Sequence, residues 1–362
     1  MSDQDGTRAG SRLDELRSRV GETRTTIGGL RVEAGKVEEF ARAIGDDDPL
    51  YRDREGATDR GFGDTPAPLS FTRTGRFERY RTGESIELGF RPEYTLHGAQ
   101  AYEYDRPLLV GDVLRGETTV VDVTEREGER GGTMTFAEVE TTYYDERNGS
   151  DGSDERDERV LTERATVIET DGAVVDDTEA TASTTDSQAT DGNTDTGDGR
   201  DHDRPNSDDG VSPDTLASLE PTAPEPVRAG DLAVGDGAPE VTVGPLERRD
   251  FVRYAGASGD FNPIHYHEPY AREAGNESVF GQGMFTAGVA AHAIGDWFGV
   301  GNIGTFAVRF QSRVWPGDTI TASAEATTVE GTDDERVEAD LRVVRDDGED
   351  VLTGHAAATL GE

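Results

Sequence analysis

In the stretch Gly259-Asp260-Phe261-Asn262-Pro263-Ile264-His265, a carboxylate and an imidazole stand five residues apart across a proline. No helical spacing aligns them, but a proline-containing turn lets both side chains converge on one water. A pair of that kind can take a proton from water and pass one to carbon. Asn262 can hydrogen-bond within the turn or to a ligand, and Pro263 fixes the backbone between the two. The competing reading is a plain turn followed by a hydrogen-bonded core histidine.

The flanking elements decide between the two. Leu246–Ala257 is a short helical stretch that feeds the Gly259-Asp260 turn. Met284–Phe298 has Phe285, Val289, Ala293 and Trp297 at i+4 spacing, with Ala287, Gly288, Ala290 and Ala291 filling the remaining faces. A helix that apolar is buried, and its small residues permit close packing. Period-2 strands follow around Phe306–Phe310, Ile320–Ala326, Val337–Val343 and Val351–Leu360. One buried helix followed by antiparallel strands implies an α+β unit in which a sheet wraps a helix.

Other chemistry-bearing strings are weaker. Gly299-Val300-Gly301-Asn302-Ile303-Gly304 has GxGxxG spacing, but it follows a helix and precedes a strand, the reverse of a dinucleotide fold. His267 and Glu268 lie beside His265 on a turn whose adjacent members point apart, so no metal site is expected. His292 and Asp296 read as a local polar pair one helical turn apart. His97 and His355 read as hydrogen-bonded strand residues. There is no Gly-x-Ser-x-Gly string, and the absence of cysteine removes thiolate nucleophiles, disulfides and cysteine-bound metals.

The chain has 362 residues, a length that suggests about two domains. Short landmarks recur in order: Gly45-Asp46 with Gly259-Asp260, Gly111-Asp112 with Gly317-Asp318, and Val160-Leu161-Thr162 with Val351-Leu352-Thr353. Three landmarks in one order indicate a duplicated unit. From residue 171 to 228 the chain is mostly Asp, Thr, Ser, Gly, Pro and Ala, a composition too polar to form a core. The expected organisation is a disordered tail (1–20), a first domain (21–170), a disordered acidic linker (171–228) and a second, catalytic domain (229–362).

Asp and Glu number 76 against 36 Lys and Arg, a formal charge of −40, and Lys36 is the only lysine. That balance argues against nucleic-acid and anionic-lipid partners. Acids spread over both halves with almost no lysine suit a halophilic cytoplasm, where salt screens the self-repulsion. No apolar run is long enough for a signal peptide or a membrane span, so a cytoplasmic location is expected.

The Gly-Asp-Phe-Asn-Pro-Ile-His string resembles the hydratase-2 motif of the MaoC-like, (R)-specific enoyl-CoA hydratase family. Val279-Phe280-Gly281-Gln282-Gly283-Met284 resembles the start of that family's central helix, with Gln282 where the family usually has histidine. Trp315-Pro316-Gly317-Asp318 resembles its later strand start. The first half is similar to the FAS1-like dehydratase N-terminal domain through Phe40–Asp46, Pro49-Leu50-Tyr51 and Leu96–Gln100 with Arg106-Pro107-Leu108. There Tyr51 stands in place of the catalytic histidine and Asp48 in place of the asparagine.

The resemblance implies a tandem double hot-dog fold, paired as a pseudo-dimer with one active site, and is compatible with a homo-oligomer of that pseudo-dimeric chain. It implies hydration of trans-2-enoyl thioesters, CoA being the expected carrier, without a cofactor. Asp260 and His265 would carry the chemistry, with the Gly283 N–H at the helix start as oxyanion donor. Asn262 and Met284 would touch substrate, Arg309 or Arg313 would meet CoA phosphates, and the first half would supply one wall. Alternatives on the same scaffold are a mesaconyl-CoA-type hydratase, a hot-dog thioesterase and a non-catalytic acyl-binding subunit.

Overall fold

The computed structural model describes residues 12–91, 94–128, 132–147, 158–170, 224–331 and 335–361. Most of the expected linker, 171–223, lies outside these. The first half contains β1 (Thr23–Arg31), α1 (Ala34–Ala43), α2 (Arg54–Asp59), β2 (Thr95–Tyr104), β3 (Val113–Gly128), β4 (Gly132–Asp145) and β5 (Glu158–Glu169). The second half contains β6 (Val241–Val243), α3 (Arg248–Ser258), α4 (Glu268–Glu273), α5 (Gly283–Phe298), β7 (Ile303–Phe310), β8 (Ile320–Glu330), β9 (Glu335–Arg345) and β10 (Asp350–Leu360).

All ten strands join one sheet in the order β1-β3-β4-β5-β2-β7-β10-β9-β8-β6. Outwards from the middle, β2-β5-β4-β3-β1 on one side repeats β7-β10-β9-β8-β6 on the other. The halves meet at the antiparallel β2–β7 pair, from Ala99 opposite Arg309 to Glu103 opposite Thr305. That ladder turns two would-be edge strands into a continuous sheet. The fold is a double hot-dog.

Local geometry repeats with the landmarks. Gly45 and Gly259 both take left-handed conformations, with φ of 79° and 80°. Each is followed by a tight 3₁₀ turn, Pro49–Tyr51 or Pro263–His265, capped by the side chain of Asp48 or Asn262. Gly111 and Gly317 share a φ of 98°. After each, an aspartate accepts a hydrogen bond from the backbone three residues back: Asp112 from Leu109 N at 2.9 Å and Asp318 from Trp315 N at 2.7 Å. The helices preceding the Gly-Asp turns, α1 and α3, pack together across the seam, with Phe40 and Tyr254 rings 5.9 Å apart.

The second half is wrapped around α5, whose Met284, Phe285, Val289, Ile294, Trp297 and Phe298 are buried. Full burial of each large side chain contributes about 1.5–3 kcal/mol. Strand residues alternate against it, as in the buried Ala322, Ala324 and Ala326 of β8. The first half departs from this pattern. Where a central helix would run, the described chain makes only two 3₁₀ segments, Phe71–Arg76 and Glu78–Tyr80. The volume that a helix would fill becomes a cavity.

Two boundaries differ from expectation. The tail expected over 1–20 is helical over 12–17, where Leu16 packs on Val120, Val123 and Ala137, and Arg12 pairs with Glu169 at 2.6 Å. At the other end of the linker, the chain is already docked by Val227, whose N–H donates to Trp297 O at 2.8 Å. In both places a few apolar side chains reach a groove of the folded halves, which a composition-based reading overlooks.

Candidate active site

A cavity of about 880 Å³ lies in the seam and is lined by both halves. Asp260, Asn262, His265, Gly283, Met284 and Arg313 all face it. The structure thus brings these six residues together at one cavity. Arg309 does not join them. Its neighbour Phe310 points into the cavity, so strand alternation turns Arg309 to the other face of the sheet, where it lines an outer groove with Arg342 and His355. Arg313 lies past the end of β7, with its guanidinium over the Phe280 ring at 5.1 Å.

The turn sets the two candidate catalytic side chains. The left-handed Gly259 ends α3, and Asp260 follows with its N–H bonded to Ser258 Oγ at 3.2 Å. Asn262 and Pro263 then start the 3₁₀ turn that carries His265. The ring of His265 is fixed by a 2.9 Å hydrogen bond from Nδ1 to Phe280 O and by edge contact with the Phe280 ring. With Nδ1–H donating to a carbonyl, the neutral imidazole keeps its lone pair on Nε2.

The electrostatics separate the pair. Burial pushes the Asp260 carboxyl up, but the charges of Arg76 and Arg73, joined by His265 at the low pH where it is protonated, outweigh it and hold Asp260 below the usual carboxylate range. Arg76 Nη1 lies 3.1 Å from Asp260 Oδ2. Burial lowers His265, and the charge of Asp260 does not fully restore it. Near neutral pH the site therefore presents an ionised carboxylate beside a neutral imidazole.

Gly283 is the first residue of α5, where an amide N–H has no intrahelical acceptor. The approach to it is fixed on both sides. Gly281 N–H donates to Val314 O at 2.8 Å, and Gln282 Nε2 donates to Phe251 O at 3.0 Å, tying the helix start to α3. A Cβ on Gly283 would sit 3.1 Å from the Phe310 ring, so the position favours a residue without a side chain.

The first half supplies the opposite wall, mostly with residues that the sequence did not single out; His97, read there as a hydrogen-bonded strand residue, is the exception. Arg73, Arg76, Glu163 and His97 face the cavity beside Thr72 and Tyr143. Thr72 Oγ1 donates to Glu163 Oε2 at 2.7 Å, and burial raises the Glu163 carboxyl by more than Arg73 lowers it. His97 is pushed down to about 3 by burial and by Arg73 and Arg76, so it is neutral, with Nε2 3.0 Å from Gln100 Oε1. Arg73, Arg76 and Glu163 belong to no motif: they are gathered by the tertiary folding of the first half, and the pairing of the halves then sets them opposite Asp260. By contrast, Asp46 and Tyr51, the counterparts of Asp260 and His265, do not line the cavity.

A double hot-dog with a cavity in its seam, lined by both halves and carrying a carboxylate and an imidazole, defines a protein of the hot-dog hydratase/dehydratase class. Residues 19–150 match the FAS1-like dehydratase domain region, and residues 234–346 match the MaoC like domain. The chain is similar to a UPF0336 protein of Thermobifida fusca, at 38% identity over 96 residues, 26% of this chain and 62% of that protein. It is also similar to UPF0336 protein SCO4636 of Streptomyces coelicolor, at 33% identity over 114 residues, 31% of this chain and 75% of that one. The chain thus spans a little under two thirds of the first relative's length. Among solved structures, a MaoC-like dehydratase superposes with a TM-score of 0.68 at 24% identity, covering 96% of this chain and 100% of the other. A Mycobacterium tuberculosis protein described as a double hotdog superposes at 0.59, with 14% identity and 96% and 97% coverage. The chain carries a FAS1-like dehydratase region in its first half and a MaoC-like domain in its second, and belongs with the UPF0336 proteins. No helix among the described residues is long and apolar enough to cross a membrane.

Proposed function

We propose that the chain interconverts trans-2-enoyl and (R)-3-hydroxyacyl thioesters, with CoA as the carrier. The observation that carries this reading is the ionised Asp260 beside a neutral His265 whose Nε2 is free of the Phe280 hydrogen bond, in one cavity with the first-turn N–H of Gly283. Water held by Asp260 and His265 gives its oxygen to C3 of the enoyl group, and the pair accepts the proton released. The thioester oxygen gains negative charge as the C2–C3 π electrons shift, and the Gly283 N–H stabilises it. The pair then returns one proton to C2, so that one water is added and the protein is unchanged. Dehydration is the reverse.

Asp260→Asn and His265→Ala should each lower kcat by at least about 10²-fold on a short enoyl-CoA, as expected for positioned acid–base groups. Full activity in His265→Ala would remove this mechanism. Release of free thiol in place of hydration would favour the thioesterase reading.

The guanidiniums of Arg73 and Arg76 support a second, narrower reading, in which the acyl group carries its own carboxylate, as in a mesaconyl-type thioester. Arg76 already serves Asp260, but an apolar acyl tunnel has no use for the second cation, Arg73, whereas a substrate carboxylate matches its forked donors. Arg73→Met should then lower kcat/KM on a dicarboxylic enoyl-CoA by about 10-fold or more and leave crotonyl-CoA little affected. Equal losses on both substrates would count against the narrower reading.

A further inference from the structure

The first half's counterpart of the active site is not empty of chemistry. Asp46, at the position matching Asp260, is 2% exposed and faces α5 of the other half. There it meets His292 and Asp296, which stand one helical turn apart. His292 Nε2 lies 3.1 Å from Asp296 Oδ2 and 3.8 Å from Asp46 Oδ1, and the three donor atoms all fall within 4.8 Å of one another. The sequence shows only the helical pair. The fold brings in the third member from about 250 residues away.

Without a further ligand this cluster is poorly satisfied. His292 is 8% exposed and its Nδ1 has no hydrogen-bond partner. As an imidazolium it would bury a charged N–H donor without an acceptor, which is costly, and the two carboxylates would still leave one negative charge in excess. As a neutral ring it would leave both carboxylate charges uncompensated. Asp46 Oδ1 accepts the Asp48 N–H at 3.1 Å and its carboxyl is hydrogen-bonded to the Tyr51 side chain, but neutral donors cancel neither charge, and the Asp48 carboxylate is engaged by Arg60 at 2.9 Å and by Leu50 N at 2.8 Å. A divalent cation at Nε2 cancels both carboxylate charges and leaves only a neutral N–H unpaired.

The spacing agrees with that occupant. The 3.8 Å gap from His292 to Asp46 is too long for a hydrogen bond. It is close to the roughly 3–4 Å that separates two ligands each about 2.0–2.2 Å from a common metal. One imidazole nitrogen with two carboxylates suits a borderline cation better than hard Mg²⁺. We propose that Asp46, His292 and Asp296 bind one divalent cation of the Zn²⁺ class, clasping helix α5 of the second half to the first. The site lies away from the cavity, so its role is structural, and the inference stands independently of the proposed reaction.

The test uses the full chain, stripped with EDTA and held in about 2 M KCl, where a Debye length near or below 3 Å suppresses diffuse cation binding to the acidic surface. Calorimetric titration with Zn²⁺ should show one saturable site per chain, and a rise in Tm that EDTA reverses. Co²⁺ should give visible d–d bands from nitrogen and oxygen ligation. Asp296→Asn, at the partly accessible edge of the cluster, should fold, weaken Zn²⁺ at least about 10-fold and lose the Co²⁺ bands; His292→Gln should do the same. Equal Zn²⁺ binding by wild type and Asp296→Asn, or no saturable site in the wild type, would overturn the proposal and leave the cluster a buried ion pair. Mg²⁺ binding as tightly as Zn²⁺ would overturn the assigned class.

Discussion

Asp260 and His265 occupy the same cavity wall and are both shifted downwards, one by arginine charge and the other by burial, and Arg76 acts on both. If neutral His265 is required, kcat/KM rises with pH as His265 loses its proton, and the midpoint of that limb lies below the ordinary histidine value of 6.5. Arg76→Met removes a positive charge that lowers both groups, so the acid limb should move to higher pH. A pH profile of kcat/KM on a neutral enoyl-CoA measures it, and an unmoved limb would sink the argument. The stability contribution has the same sign: a depressed pKa stabilises above the unfolded value and is lost as pH falls through the folded one. Asp260 and His265 were legible in the sequence because a single turn holds them. Arg73, Arg76 and Glu163 were not, because no motif marks them: Arg76 meets Asp260 only across the seam, and Glu163 meets Thr72 from 91 residues away. The placement of Arg309 failed for a simpler reason, since one residue along a strand changes the face.

Helix α5 connects the two polar clusters, with Gly283 at its start and His292 two and a half turns on. Gln282, which precedes it, has φ −62° and ψ 134°, a conformation that a residue before proline accepts. Proline is also favoured at the first helical position. Gly283→Pro should therefore keep the helix while removing the N–H, lowering kcat about 10²-fold with the far-UV spectrum unchanged. Gly283→Ala retains the N–H and should lose much less, provided Phe310 gives way by a few tenths of an ångström. Equal losses in the two variants would mean that the amide is not the donor. The helix and the strands behind it were readable from their periods, 3.6 and 2, because burial on a defined face leaves that mark. The shortened centre of the first half was not, since nothing in Phe71–Tyr80 announces that two tight 3₁₀ turns replace a helix. The close seam was equally silent. A Cβ on Gly288 would collide with the Ile44 side chain, so the first half's apolar residue packs directly on the bare backbone of this helix face.

Among the described residues, the β2–β7 ladder, the α1–α3 contact and the docking of α5 hold the halves together. Removing about twenty residues from within 171–223 should leave kcat nearly unchanged and move Tm by only a few degrees, because loop-closure entropy varies slowly with length. Activity assays and thermal scans of the shortened chain check this, and a large loss would give the segment a role that its composition does not indicate. The duplication itself was visible as three short strings, and the matching backbone conformations of Gly45 with Gly259 and Gly111 with Gly317 give it a physical basis. The joining ladder also imposes an order in time. Strand β2 ends at Tyr104 and its partner β7 at Phe310, so about 200 residues must be added before the ladder can close. At roughly 5–20 residues per second, the nascent first half waits some 10–40 s with an open sheet edge and a half-built cavity exposed. During that interval the abundant acidic charge of the chain is what discourages two newborn copies from pairing edge to edge.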